Sequence, residues 1–260
     1  MDGIQYMKIT RAFVPNMFTT LNMFSGFMSI VSSTQGNFIV AAWFIILAAV
    51  FDALDGVMAR ITKSSSEFGV EFDSLSDIVS FGVAPSFLVY NIALYEFNNI
   101  GILISALPMI FGGIRLARFN VQLTGFDKDY FRGLPIPSAA GLIVTYVLTF
   151  YDETSGLSGF WGNTLIPLIV VSSLLMVSLI KYDTLPRPNK ESIKNNPVKF
   201  GLLLLAIIIT AATKGYALFF IFLAYACSGP IRAVIEKISQ LLSGEEVDED
   251  SVEDSTSLDA

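Results

Sequence analysis

Apolar runs close to membrane-spanning length recur along almost the whole chain, broken only by short polar or Gly/Pro punctuation, and no other feature limits the fold so tightly. In hydrocarbon every backbone N–H and C=O must find its partner inside the protein, so such runs form helices or closed barrels. Runs of about 20 residues suit helices, which need that length to cross about 30 Å of bilayer. About eight transmembrane helices are predicted, near residues 14–33, 38–59, 72–95, 100–119, 134–151, 161–180, 200–213 and 216–235. Apolar residues are 53% of the 260 and mean hydropathy is +0.62, beyond the balance of a soluble domain. The expected class is an all-α integral membrane protein.

The basic residues orient the spans. With the N-terminus inside, 15 of the 16 Lys and Arg fall at cytoplasmic ends, and only Lys214 lies outside. The opposite loops, STQGN and DETSGLSGFWGN, contain no base. This places the chain in the cell membrane. No early apolar region with a small-residue cleavage site precedes the first span, so the N-terminus is expected to be retained. The net charge of -7 comes from the end of the chain, GEEVDEDSVEDSTSLDA, which holds eight carboxylates and no base. Residues 241–260, which contain that stretch, read as a disordered acidic tail. The remaining body is nearly neutral, and nothing in it suggests a nucleic-acid partner. Pro186, Pro188 and Pro197 mark an extended connector, which divides a core at residues 1–198 from a two-helix extension at 199–240. No internal repeat or inverted pair of broken spans is evident.

Histidine is absent and Cys227 is the only cysteine, which excludes an internal disulfide and a thiolate-rich zinc site. Any metal must be held mainly by oxygen, which favours magnesium, manganese or calcium. The oxygen donors are conspicuous. The second span runs into FDALDGVMAR and the third begins GVEFDSLSDIVSFG. On helices Asp52 and Asp55 are i, i+3 and Asp73 and Asp77 are i, i+4, so each pair shares a face. An antiparallel helix pair would bring the four carboxylates together, where they repel unless a hard divalent cation intervenes. Two metals about 3.5–4 Å apart, sharing carboxylates, can clamp a phosphoryl group on both sides.

Asp52 precedes Arg60 by about 12 Å of helix, which puts the cluster near headgroup level if Arg60 reaches the interface. Gly56, Ala59 and Gly69 lack bulk where a nucleotide would approach, and Arg60 and Lys63 are suited to phosphate. Asn16, Thr19 and Asn22, three residues apart, either face the base and ribose of such a nucleotide or make interhelical hydrogen bonds. Asp residues at such depth can also act as helix caps or as part of an ion path, and a cation transporter is the alternative from a different class.

Asp52-x2-Asp55-Gly56-x2-Ala59-Arg60-x8-Gly69-x3-Asp73-x3-Asp77 resembles the full signature of the CDP-alcohol phosphotransferase family, with no departure at a fixed position. The resemblance implies a six-helix core, here followed by two further helices, and two magnesium or manganese ions held by the four aspartates. It also implies release of CMP, Asp77 as the general base for the acceptor hydroxyl, and a homodimer. VPNMFTTLNMFSGF, FGVEFDSLSDIVSFGVAPS, RLARFNV and FRGLPIPSAAG are similar to the serine-using branch of that family. The implied substrates are CDP-diacylglycerol, drawn from membrane lipid, and L-serine. Arg115 and Arg118 either hold the serine carboxylate or mark the positive-inside boundary. Gly133, Pro135 and Pro137 shape the entry to the fifth span or form a substrate-facing turn. Glycerol 3-phosphate and inositol phosphate are the rival acceptors. Their phosphate would call for a denser basic pocket than is seen near Asp77.

Overall fold

The computed structural model describes residues 13–62, 66–122, 130–183, 197–213 and 215–243. The expected acidic tail from residue 244 onward, most of the Pro-rich connector, and Lys63 lie outside the described residues, whereas residues 241–243, expected in that disordered tail, are helical. Among those described the chain forms α1 (Phe13–Thr34), α2 (Phe38–Thr62), α3 (Glu67–Asp77), a π-helical turn (Ile78–Val83) and α4 (Ala84–Ile92). A 3-10 turn (Leu94–Phe97), α5 (Asn98–Gln122), β1 (Tyr130–Arg132), α6 (Ile136–Phe150), α7 (Gly159–Val177), β2 (Lys181–Asp183), α8 (Pro197–Ala212) and α9 (Ala217–Ser243) follow. Because α3, the π turn and α4 run on as one rod, eight helical rods result, matching the eight apolar runs. Five are long and apolar enough to cross a membrane: Phe38–Thr62, Glu67–Ile92, Leu94–Val121, Gly159–Val177 and Ala217–Leu241. The protein is an all-α integral membrane protein, apart from the two-stranded antiparallel ribbon of β1 and β2.

The short α6 is the centre of the bundle, buried continuously through its middle turns from Ala139 to Val147. Small residues let neighbours approach it, as expected where lipid supplies no hydrophobic drive and contact area must. A Cβ on Gly141 would sit 2.6 Å from the Phe222 ring of α9. Around α6 pack Ala41, Ala42, Ile45 and Ala48 of α2, Leu88 and Val89 of α4, and Leu165 and Ile169 of α7.

Helix α1 is built inside out. Its buried face is Thr19, Asn22, Ser25, Gly26, Ser29, Ser32 and Ser33, while Phe13, Met17, Phe24 and Phe27 point outward. In water this pattern would be unstable; in lipid it presents hydrocarbon outside and hydrogen-bonding groups to the bundle. Gly26 brings α1 against the π turn, where a Cβ would lie 2.5 Å from Ser80 Oγ and 2.7 Å from Ser80 Cα.

The π turn was not legible as such in an apolar run. Its wide bonding is seen where the Ala84 N–H donates to Val79 O, five residues back. Pro85 follows at the start of α4 and has no N–H to offer, so a widened turn ahead of it accommodates the missing donor. Opposite, the Met109 N–H beside Pro108 of α5 donates to Ser86 Oγ at 3.2 Å. At the far end of α6, Asp152 caps a tight turn, and hydrogen bonds from Thr154 and Ser155 hold its exposed carboxyl down at about 2.

Candidate active site

Helices α2 and α3 both pack on α1, rather than chiefly on each other, and this common support brings the expected carboxylates together. Asp52, Asp55 and Asp73 each offer an oxygen, and the three oxygens lie within 4.8 Å of one another. Asp77 stands outside this trio, one turn beyond Asp73. Asp55 and Asp77 are buried and Asp52 and Asp73 half-buried. Helix α3 starts here because Ser66 caps it: the Gly69 N–H donates to Ser66 Oγ at 3.1 Å, with Glu67 in the first turn.

The polar stripe of α1 holds the carboxylates in place. Thr19 Oγ1 lies 3.0 Å from Asp55 Oδ2 and donates to it, and Asn22 Nδ2 donates to Asp77 Oδ1 at 3.3 Å. The reverse contacts lock the same helices: Ser76 Oγ donates to Thr19 O at 3.0 Å and Ser80 Oγ to Asn22 O at 2.9 Å. Thr19 and Asn22 are thus wedged among the carboxylates, on the interhelical side of the two readings open from sequence. Asn16 sits lower, where a Cβ on Gly69 would lie 3.7 Å from its Oδ1. Ser76 and Ser80 escaped sequence reading, although their i, i+4 spacing beside Asp73 and Asp77 put them on the face toward α1.

The donor set suits a hard divalent cation. It is all oxygen, and Asp73 Oδ1 is buried without a hydrogen-bond partner among the described residues. Without a cation, three carboxylates at this separation would strongly oppose one another. Toward the approach side, a Cβ on Gly56 would meet nothing within 4 Å, so space opens beside the cluster. Ala59 is half-buried. Arg60 is exposed, and its Nε donates to Gly56 O at 2.8 Å.

The two arginines of α5 differ. Arg118 donates from Nη1 to Val177 O at 3.1 Å and from Nη2 to Ser178 O at 3.5 Å, capping the carbonyl end of α7. Arg115 is 6% exposed, with its guanidinium 5.8 Å from the Phe119 ring centroid and its Nε buried without a hydrogen-bond partner among the described residues. It lies within electrostatic range of Asp77. Gly133, with φ +81, has the left-handed conformation that glycine tolerates, and its N–H donates to Ile180 O at 2.8 Å. This ties the entry of α6 to the ribbon below the arginines.

Beside the carboxylates runs an apolar groove of about 580 Å³, between α2, α6 and α9. It extends along α2 from Ile39 to Val57 and is lined by Trp43, Val50, Leu54 and Phe222 among others.

The CDP-alcohol phosphatidyltransferase family description matches residues 12–177, which hold all four aspartates and both α5 arginines. A CDP-diacylglycerol–serine O-phosphatidyltransferase of Helicobacter pylori is 42% identical over 191 residues, covering 74% of this chain and 78% of that protein. An archaetidylserine synthase of Methanothermobacter thermautotrophicus is 43% identical over 172 residues, 65% of this chain and 69% of its own length. A CDP-diacylglycerol–serine O-phosphatidyltransferase of Bacillus subtilis is 34% identical over 183 residues, 70% of this chain and 97% of its own.

Proposed function

This chain belongs to the CDP-alcohol phosphatidyltransferase family and is an enzyme, and from that premise we propose that it transfers the phosphatidyl group of CDP-diacylglycerol to the hydroxyl of L-serine, releasing CMP. The observation that carries the reading is the juxtaposition of the oxygen-only trio Asp52, Asp55 and Asp73 with Asp77 and a buried arginine, Arg115. The names of the similar proteins point to serine.

In the proposed reaction, Asp77 accepts the proton of the serine hydroxyl as its oxygen attacks the phosphorus that bears diacylglycerol, and the bond from that phosphorus to the CMP oxygen breaks. The place of Asp77 outside the trio supports giving it the base role, and the Asn22 amide fixes the orientation of its carboxylate. Two magnesium or manganese ions, held by Asp52, Asp55, Asp73 and Asp77, would supply neutralisation of the charge that builds on the pyrophosphate. Gly56, Ala59 and Gly69 leave room for the nucleotide, Arg60 faces its phosphates, and Asn16, Thr19 and Asn22 wall the site from α1. The groove along α2 is long enough to take an acyl chain of the donor, with Leu54 and Val57 at its headgroup end.

Arg115 receives the serine carboxylate, with Arg118 beside it. A phosphate-bearing acceptor such as glycerol 3-phosphate or inositol phosphate would need more positive charge than these provide. We place the chemistry on the cytoplasmic face of the cell membrane, on the strength of the asymmetric distribution of bases. Residues 1–198 are read as the catalytic core and 199–240 as its two-helix extension, and the family relationship is the ground for expecting a homodimer.

The test is CMP release by purified protein given CDP-diacylglycerol and manganese or magnesium, with serine, glycerol 3-phosphate and inositol phosphate offered in parallel. Release that depends on serine, and stops when the metal is chelated, is expected. CMP release without an acceptor, or with a phosphate-bearing alcohol in preference, overturns the serine reading.

A further inference from the structure

The family match ends at residue 177, the last residue of α7, yet the chain folds a later helix back toward the buried arginine. Tyr182, in β2, is 1% exposed and donates from its hydroxyl to Ala226 O of α9 at 2.9 Å. Gly229, one turn on, is packed so closely that a Cβ would lie 2.5 Å from the Tyr182 ring. Burial pushes the Tyr182 phenol up to about 12, so it stays a neutral donor across any working pH. Immediately before Ala226, Tyr225 meets Tyr182, ring centroids 5.7 Å apart, and lies within electrostatic range of Arg115.

Two facts make this placement chemical and not only structural. Arg118, the other cation of α5, has its guanidinium committed to Val177 O and Ser178 O, so Arg115 is the better placed of the two to take an incoming anion. A buried guanidinium with an unsatisfied Nε is costly to maintain unless a ligand completes it. Among the described residues the groups in electrostatic range of Arg115 are a carboxylate, Asp77, a second guanidinium, Arg118, and a phenol, Tyr225. A phenol both donates and accepts. It therefore suits a zwitterion, whose ammonium lies beside its carboxylate, better than a dianionic phosphate.

We propose that α9 completes the acceptor pocket, with Tyr225 as a specificity-determining residue for an amino-acid acceptor and Tyr182 as the positioning residue that holds Tyr225 against Arg115. The proposal rests on the serine reading above and extends it to a helix outside the matched family region. The C-terminal pair of helices is then part of the site's selectivity, not an appendage.

The experiment titrates serine and CDP-diacylglycerol separately with wild type, Tyr225→Phe and Tyr182→Phe in detergent, and records a melting temperature for each. Expected for Tyr225→Phe is a rise of about tenfold in KM for serine, the scale of one hydrogen bond to a charged group, with KM for CDP-diacylglycerol and the melting temperature unchanged. Tyr182→Phe should move the serine KM in the same direction by less, and Gly229→Ala, which forces the Tyr182 ring aside, should do likewise. If the wild type is serine-dependent but Tyr225→Phe matches it, or shifts both KM values alike, the pocket assignment is overturned while the serine reading stands. The assignment is equally overturned if the variants lose only thermal stability. If the wild type releases no CMP in response to serine, both readings fall together.

Discussion

Each carboxylate in the cluster has a different neighbour. Asp73 carries an oxygen with no hydrogen-bond partner among the described residues, Asp55 is bonded by Thr19, and Asp77 is bonded by Asn22 and stands one turn apart. Such unequal surroundings are what a site needs if three groups are to hold cations and one is to move a proton. Asp77→Asn keeps the shape of the side chain and removes its basicity. CMP release should fall by at least about 100-fold, while manganese-dependent binding of CDP-diacylglycerol, followed by calorimetry, persists; parallel loss of binding would make Asp77 an indispensable ligand and not the base. At this scale the sequence was informative about the four aspartates, because their i, i+3 and i, i+4 spacings speak directly to a helical face. It was silent on Ser76 and Ser80, whose value lies in backbone carbonyls of α1 that no local pattern reveals. It also left Arg115 and Arg118 as equals, and only tertiary contacts distinguish them.

Most helix boundaries followed from apolar runs to within a few residues, since hydrocarbon leaves the backbone no other choice, but the last helix, expected to end near residue 235, runs on to Ser243. The run read as a span near residues 72–95 is a rod that begins earlier, at Glu67, because Ser66 caps it, and it contains a π turn that hydropathy cannot see. That turn comes immediately after Asp77 and presses Ser80 against Gly26. Gly26→Val should therefore be poorly tolerated: overpacking at such a contact costs about 1–3 kcal/mol, and the displaced rod would carry Asp73 and Asp77 with it. The expected result is a lower melting temperature together with weaker metal dependence of CMP release, whereas Gly36→Ala in the α1–α2 turn, where a Cβ meets nothing within 4 Å and the left-handed φ of +78 adds only local strain, should spare the metal dependence. Equal loss of metal dependence in both variants would show that the α1 crossing does not set the carboxylate geometry.

Across the whole molecule the site gathers at one end of the bundle, where α2 ends, α3 begins and α5 ends, and the Asp152 turn marks the other. This polarity can be read directly. In a Cys227→Ser background, Glu153→Cys should react with a membrane-impermeant maleimide on intact cells, and Glu67→Cys only after the membrane is opened; the opposite pattern would turn the active site outward. The inside-out build of α1 bears on how such a protein comes into being. The helix that positions Asp55 and Asp77 has committed its inner face to Thr, Asn and Ser, and it is not among the five helices apolar enough to cross a bilayer by composition. A ribosome delivers α1 before α2, and by itself α1 is a weak candidate for lateral release from the insertion channel. It gains a place in the bilayer once α2 emerges and offers its aspartates as partners, so membrane entry of the first hairpin and assembly of the catalytic centre become a single event during biosynthesis.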